Sequence, residues 1–121
     1  MACFKIPHYS LQNAAYLVRK NNKGMEKINV LLVEDEGTLA MIIKETLESQ
    51  DFVIHTANDG MEGLRRFFDL RPDVVVADVM MPHLDGFEMV RRIRQTDRKT
   101  PVLFLTARSA IHDVVEGFEL G

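Results

Sequence analysis

The feature that most constrains this chain is a short apolar run that ends in a carboxylate. Residues 74–77 are small and mostly β-branched, which is typical of a strand buried on both faces of a parallel sheet. Asp78 follows directly, and open α/β sheets build their sites at the carboxyl ends of such strands. A buried carboxylate needs a metal, a donor or a proton there, because an unpaired buried charge is too costly. Taken alone, Asp78 is explained equally well as a cap of the next turn.

The hydrophobic pattern alternates between strand and helix from residue 28 onward. It predicts strands at 28–33, 52–57, 73–78 and 102–105, helices at 37–50, 61–70 and 87–95, and a further helix after Ser109. Such alternation favours a parallel sheet with right-handed crossovers and helices on both faces. The predicted fold class is therefore α/β, with a doubly wound parallel sheet.

Each of the first three predicted helices carries apolar residues that we expect to face the core. They are Leu39, Ile42, Ile43 and Leu47 in the first, Met61, Leu64, Phe67 and Phe68 in the second, and Phe87, Val90 and Ile93 in the third. The third helix also carries Arg91, Arg92 and Arg94, which we expect on its solvated face.

Charge is distributed unevenly along the chain. Four basic side chains and no acidic one occur in residues 1–24, whereas all 18 acidic side chains occur in residues 25–121. An acidic domain is a poor unaided binder of nucleic acid, since phosphate contacts need clustered Lys and Arg. The chain has no apolar run of about 20 residues, so we expect no membrane span. With one cysteine, Cys3, and no secretory pattern, we expect a cytoplasmic protein.

Several oxygen-bearing side chains follow different predicted strands. Glu34 and Asp35 follow the first strand, Asp78 the third and Thr106 the fourth. Because parallel strands share one carboxyl edge, we expect these side chains to lie together. Crowded carboxylates repel unless a cation shares them, and oxygen ligands select a hard cation, Mg²⁺ or Mn²⁺. A carboxylate beside Mg²⁺ can attack phosphorus, and a hydroxyl can then hydrogen-bond the new phosphate oxygens.

Three segments, 30–36, 78–86 and 105–108, resemble the receiver domain of two-component response regulators, and the resemblance covers about residues 28–121. It implies a flavodoxin-like sheet of order 2-1-3-4-5 with Asp78 as the phosphoacceptor. It also implies Mg²⁺ held by Asp35, Asp78 and the backbone carbonyl of Met80, with Glu34 acting through water and Thr106 as the switch hydroxyl. The implied partner is a sensor histidine kinase. A homodimer is left open.

The sequence departs from this family at its C-terminus. Receivers continue with a fifth strand that ends in Lys-Pro and a fifth helix, and neither follows Gly121 here. One explanation is a reading frame cut short within a longer regulator with transcriptional output. In that case residues 1–24 are an extraneous extension of a receiver domain at 25–121, and the fourth strand is an exposed edge.

The second explanation is circular permutation. Residues 2–7 read as a short strand, and Ser10 can cap a helix that places Leu11, Ala14, Ala15, Leu17 and Val18 inward. This order, strand then helix, is what the C-terminus lacks, and Lys5 would take the place of the missing lysine. We then expect Phe4 to pair beside the strand 102–105, and Lys5 to lie near Asp78.

Two other functions remain open from the sequence. The first is a Mg²⁺-dependent phosphohydrolase with Asp78 as nucleophile. Hydrolases of the haloacid dehalogenase type place a second Asp two residues after the nucleophile, and Met80 occupies that position here. The second is a truncated fragment that folds poorly and binds no phosphate. The resemblance favours a signalling module rather than an enzyme.

Overall fold

The computed structural model describes residues 27–79, 81 and 84–106, together with the backbone of residues 3–7; at residue 106 only the backbone is described. The elements are β1 (Cys3–Pro7), β2 (Ile28–Val33), α1 (Gly37–Glu48), β3 (Phe52–Ala57), α2 (Gly60–Leu70), β4 (Val74–Asp78), α3 (Gly86–Arg94) and β5 (Val102–Thr106). From β2 onward they match the predicted elements to within two residues. The predicted helices after Ser10 and Ser109 lie outside the described residues. Within the described part, no helix has the length and apolarity needed to cross a bilayer.

The strands form one parallel sheet in the order β1-β5-β4-β2-β3. The four strands β3, β2, β4 and β5 have the order 2-1-3-4 when they are counted from β2. This confirms the predicted α/β, flavodoxin-like fold. Because β2 and β4 are central, their carboxyl ends lie side by side, at the point where the connections diverge to either side of the sheet.

The strand β1 extends the sheet beyond β5. In the register of this pair, Phe4 lies beside Leu103, Lys5 beside Phe104, and Pro7 beside Thr106. The expectation that Phe4 pairs beside residues 102–105 is therefore confirmed. The expectation that the strand at residues 102–105, which is β5, forms an exposed sheet edge is wrong. Its free side is occupied by backbone hydrogen bonds to β1.

Helices cover both faces of the sheet. On one face, α1 packs against β2 and β3 through Ile43 and Leu47. On the other, α2 and α3 pack through the buried side chains Phe67, Met89, Val90 and Ile93. The apolar residues of β2, β4 and β5 are almost completely buried between these layers, as the apolar strands predicted.

Four of the predicted side-chain positions are wrong. Ile42 is 53% exposed, Met61 48% and Phe68 38%, whereas Arg94 is only 8% exposed. Each of the three apolar residues is the sequence neighbour of a buried residue in its helix. Successive residues of an α-helix are roughly 100° apart around the axis, so these side chains point away from the buried face. Arg94 ends α3, where its Nη1 donates a hydrogen bond to the Asp97 carbonyl at 3.3 Å as the chain turns back.

Candidate functional site

The carboxyl ends of β2 and β4 bring three acidic side chains together. Val33 pairs with Ala77, so Glu34 and Asp78 follow at the same level of neighbouring strands. One carboxylate oxygen from each of Glu34, Asp35 and Asp78 lies within 4.8 Å of the others. The sequence predicted this convergence, and the structure places these three residues as expected.

Glu34 is the buried member of this carboxylate cluster, which we define as Glu34, Asp35 and Asp78. It is 2% exposed, and its Oε1 has no hydrogen-bond partner among the described residues. Its Oε2 accepts a hydrogen bond from the Glu36 N–H at 3.2 Å. Burial, together with the negative charge of nearby Asp78, raises the pKa of Glu34 from 4.5 to about 8. Glu34 is therefore held largely protonated at neutral pH without a cation.

The carboxylate cluster fits a hard divalent cation. Its ligand atoms are all oxygens, Asp35 is exposed and Asp78 is half-buried, so an ion can approach from solvent. A cation would offset the mutual repulsion of the carboxylates and favour the ionised form of Glu34. The predicted carbonyl ligand, at Met80, lies outside the described residues. Its role stays a prediction.

The chain after β4 folds back closely over Asp78. The Gly86 N–H donates a hydrogen bond to the Val79 carbonyl at 2.9 Å, and a Cβ atom at position 86 would overlap the Asp78 carbonyl oxygen. The adjacent Asp85 accepts a hydrogen bond from the Glu88 N–H at 2.8 Å and so caps α3. Gly86 was not among the site residues predicted from the sequence. The Asp-Gly pair before an apolar helix was the available signal.

A second glycine, Gly60, packs closely against the same loop. A Cβ atom at Gly60 would overlap the carbonyl oxygen of Leu84, whose side chain is buried. Gly60 begins α2, and the preceding Asp59 caps that helix by accepting from the Glu62 N–H at 2.8 Å. The start of α2 therefore supports the segment that follows Asp78.

The remaining predicted site residues, Thr106 and Lys5, lie toward the β1 side of the sheet. Leu105 pairs with Asp78, so Thr106 lies one residue beyond the level of Asp78 on the neighbouring strand. Lys5 pairs with Phe104, one residue before that level and two strands from β4. At about 4.8 Å per strand, its backbone lies roughly 10 Å from β4. The roles of both residues stay predictions.

The chain is similar in sequence to known regulatory proteins. The family model described as response regulator receiver domain matches residues 30–121. The transcriptional regulatory protein TrcR of Mycobacterium tuberculosis is 44% identical over 94 residues, which cover 78% of this chain and 37% of that protein. The transcriptional regulatory protein AfsQ1 of Streptomyces coelicolor is 43% identical over 93 residues, covering 77% of this chain and 41% of that protein. The chain thus spans about two fifths of the length of these relatives.

Solved structures show the same fold. The chemotaxis protein CheY4 of Vibrio cholerae superposes with a TM-score of 0.74 at 33% sequence identity, covering 78% of this chain and 81% of that one. A putative response regulator from Chloroflexus aurantiacus superposes with a TM-score of 0.75 at 31% identity, covering 78% and 80%.

Proposed function

The chain belongs to the response regulator receiver domain family, and from this premise we propose that Asp78 accepts a phosphoryl group from a sensor histidine kinase in a Mg²⁺-dependent reaction. The observation that carries the proposal is the convergence of Glu34, Asp35 and Asp78 within 4.8 Å at the carboxyl edge of the sheet. Asp78 is the member that ends a central strand and remains half-buried, so its carboxylate is both fixed and accessible.

The cluster residues have distinct proposed roles. Asp35 and Asp78 would hold Mg²⁺ directly together with the Met80 carbonyl, and Glu34 would act through water. When bound, the cation supplies charge neutralisation and a coordination position for a phosphate oxygen. An Asp78 carboxylate oxygen attacks phosphorus and forms the new P–O bond, while the bond from phosphorus to the donor histidine nitrogen breaks. The product is an aspartyl phosphate.

Thr106 is proposed as the group that reads the phosphorylated state. It follows β5 one residue beyond the level of Asp78, on the neighbouring strand. A hydroxyl that bonds phosphate oxygens interacts only with the phosphorylated form, and such a differential interaction shifts a two-state equilibrium.

The output of the switch is proposed to be transcriptional. Relatives from Mycobacterium, Streptomyces and Bacillus are named transcriptional regulatory proteins, including PhoP of Bacillus subtilis at 39% identity over 92 residues. Since this chain spans about two fifths of their length, we propose that it corresponds to the regulatory part of such a regulator. DNA binding is not assigned to the segment itself, because residues 25–121 are acidic.

The proposal is tested by intact mass measurement after incubation with Mg²⁺ and acetyl phosphate, a small phosphodonor. The chain should gain the mass of one phosphoryl group, and chelation of Mg²⁺ should prevent the gain. Asp78→Asn should abolish it. The matched control is Asp69→Asn, which makes the same change at an exposed position on α2 and should leave the gain intact.

Phosphate release separates the switch from the phosphohydrolase alternative. A receiver should take up one phosphoryl group per chain and release phosphate slowly, whereas a hydrolase should show rapid multiple turnover with phosphate esters. Sustained turnover of a phosphomonoester that requires Asp78 would favour the hydrolase.

A further inference from the structure

Part of one sheet face is buried beyond the reach of the helix that packs on it. Val76, Leu103 and Leu105 lie on the same face as α1 and are 3%, 2% and 0% exposed. Yet α1 packs against β2 and β3, on the other half of that face. We name the β4 and β5 half, formed by Val74, Val76, Leu103 and Leu105, the β4/β5 face. Because these side chains are buried, another part of the molecule must cover them, and α1 lies over β2 and β3 instead.

The handedness of the connections identifies which segment crosses this face. The α1 connection runs from β2 toward β3, and α1 lies on the face that includes Val76. The α2 and α3 connections run in the opposite direction across the sheet and lie on the opposite face. The direction and the face of all three connections fit right-handed parallel crossovers. The connection from β1 to β2 runs in the same direction as that of α1, so the rule places it on the α1 face. There it must cross β5 and β4.

The connecting segment also has the required length and pattern. Twenty residues separate Pro7 from Ile28, and a parallel crossover needs about a dozen or more, usually as a helix. Leu11, Ala15 and Val18 recur at spacings of four and three residues and so share one face of a helix. Asn13 and Lys20 fall on the opposite side of that helix.

We propose that residues 10–20 form a helix that packs through Leu11, Ala15 and Val18 onto the β4/β5 face. The N-terminal strand β1 and this helix would then supply the strand beside β5 and the second covering layer on the α1 face. The competing occupant is residues 107–121, which follow β5. No described strand comes after them, so handedness does not assign them a face. A second copy of the chain is the other competitor.

The direct test uses the unaltered chain, with methyl groups of Ile, Leu and Val labelled for NMR. We expect nuclear Overhauser contacts from Leu11 and Val18 to Val76, Leu103 and Leu105. Contacts to the β4/β5 face from Ile111 and Val115 instead would overturn the proposal. So would contacts from Leu11 and Val18 that appear only between differently labelled chains in a mixed sample, since these would show that a second copy supplies the layer.

A matched pair of substitutions tests the same packing in solution. Ala15→Asp would place a charge against the β4/β5 face, whereas Asn13→Asp places the same side chain on the opposite side of the helix. We expect Ala15→Asp to lower the melting temperature by about 8 °C or more, or to abolish cooperative melting, with Asn13→Asp within about 2 °C of the unaltered chain. Equal melting temperatures for the two variants would contradict the proposal. Neither outcome depends on phosphorylation, so the test is independent of the proposed function.

Discussion

The backbone of Gly86 lies so close to the carbonyl oxygen of Asp78 that a side chain at position 86 would overlap it. The turn that follows β4 is thus packed directly against the residue proposed to accept the phosphoryl group. We expect Gly86→Ala to push the two segments apart, with a loss of roughly 1–3 kcal/mol in the free energy of unfolding and slower phosphorylation. Chemical denaturation and the rate of mass gain with acetyl phosphate measure the two effects.

Gly37→Ala is the control for this prediction. A Cβ atom at position 37 meets nothing within 4 Å, and the residue begins α1. Alanine should therefore leave phosphorylation unchanged and keep or raise stability, by up to about 1 kcal/mol. If Gly86→Ala behaves like Gly37→Ala in both measurements, the close packing against Asp78 has no consequence for the site.

The raised pKa of Glu34 predicts how the stability of the metal-free protein changes with pH. Burial raises this pKa from 4.5 to about 8, so folding favours the protonated carboxyl. The resulting contribution to stability is fully present below pH 4.5 and is lost as the pH rises through about 8. Denaturation in the presence of a chelator should show stability falling over that interval. Glu34→Gln, which cannot ionise, should flatten this part of the profile; an unchanged slope would rule out Glu34 as the titrating group.

The same group predicts proton release when Mg²⁺ binds. A cation at the carboxylate cluster favours the ionised form of Glu34, so binding below pH 8 should displace its proton, and Mg²⁺ affinity should rise as the pH approaches that value. Calorimetry in two buffers of different ionisation enthalpy counts the protons released. Glu34→Gln should release fewer protons than the unaltered chain. Equal proton release would show that another group is the source.

Asp97 stabilises the turn between α3 and β5. Its Oδ1 accepts from the Lys99 and Thr100 N–H groups at 2.9 Å, and its Oδ2 accepts from the Thr100 hydroxyl at 2.8 Å. Burial opposes ionisation, but these hydrogen bonds outweigh it and lower the pKa from 3.8. Asp97→Ala should cost about 1–2 kcal/mol at neutral pH. Because the folded pKa is lowered, the difference from the unaltered chain should shrink as the pH falls below 3.8. A difference that persists in acid would point to packing rather than to the carboxylate.

Thr106→Ala should separate metal binding from switching. If the hydroxyl contacts only the phosphorylated form, Mg²⁺ affinity should change by less than about twofold, while the active state should lose roughly 0.5–3 kcal/mol. Amide chemical shifts recorded with Mg²⁺ and beryllofluoride, a phosphoryl mimic, report the fraction converted. Asp35→Ala is the comparison, since it should remove Mg²⁺ binding itself. A Thr106→Ala variant that loses Mg²⁺ as completely as Asp35→Ala would contradict the switch role.

The sheet and the carboxylate cluster were predictable because each rests on a local pattern. Buried strands that alternate with amphipathic helices define the parallel sheet, and the strand ends then place Glu34, Asp35 and Asp78 at one edge. The pKa of Glu34 was not predictable, because it depends on how deeply the carboxyl group is buried and on its distance from Asp78.

The side-chain errors have two causes, an ambiguous helical spacing and an assignment made from charge alone. In α1 the spacing from Leu39 allows either Ile42 or Ile43 to face inward, and the position of the helix on β2 and β3 selects Ile43. Arg94 was assigned to solvent by its charge, but its stem packs where α3 ends and its guanidinium reaches the Asp97 carbonyl. The pairing of β1 with β5 was one of two open explanations, because residues distant in sequence decide it.

The central claim is that Asp78 itself accepts the phosphoryl group, and chemical trapping of the product tests it most directly. The protein is incubated with Mg²⁺ and acetyl phosphate, and then treated with borohydride, which reduces an aspartyl phosphate to homoserine and leaves free carboxylates unchanged. Peptide mass mapping then locates the altered residue. The account predicts homoserine at position 78 and none in a sample prepared without Mg²⁺. Homoserine at Asp35, reduction at Glu34, or no reduced residue in a folded protein would contradict it.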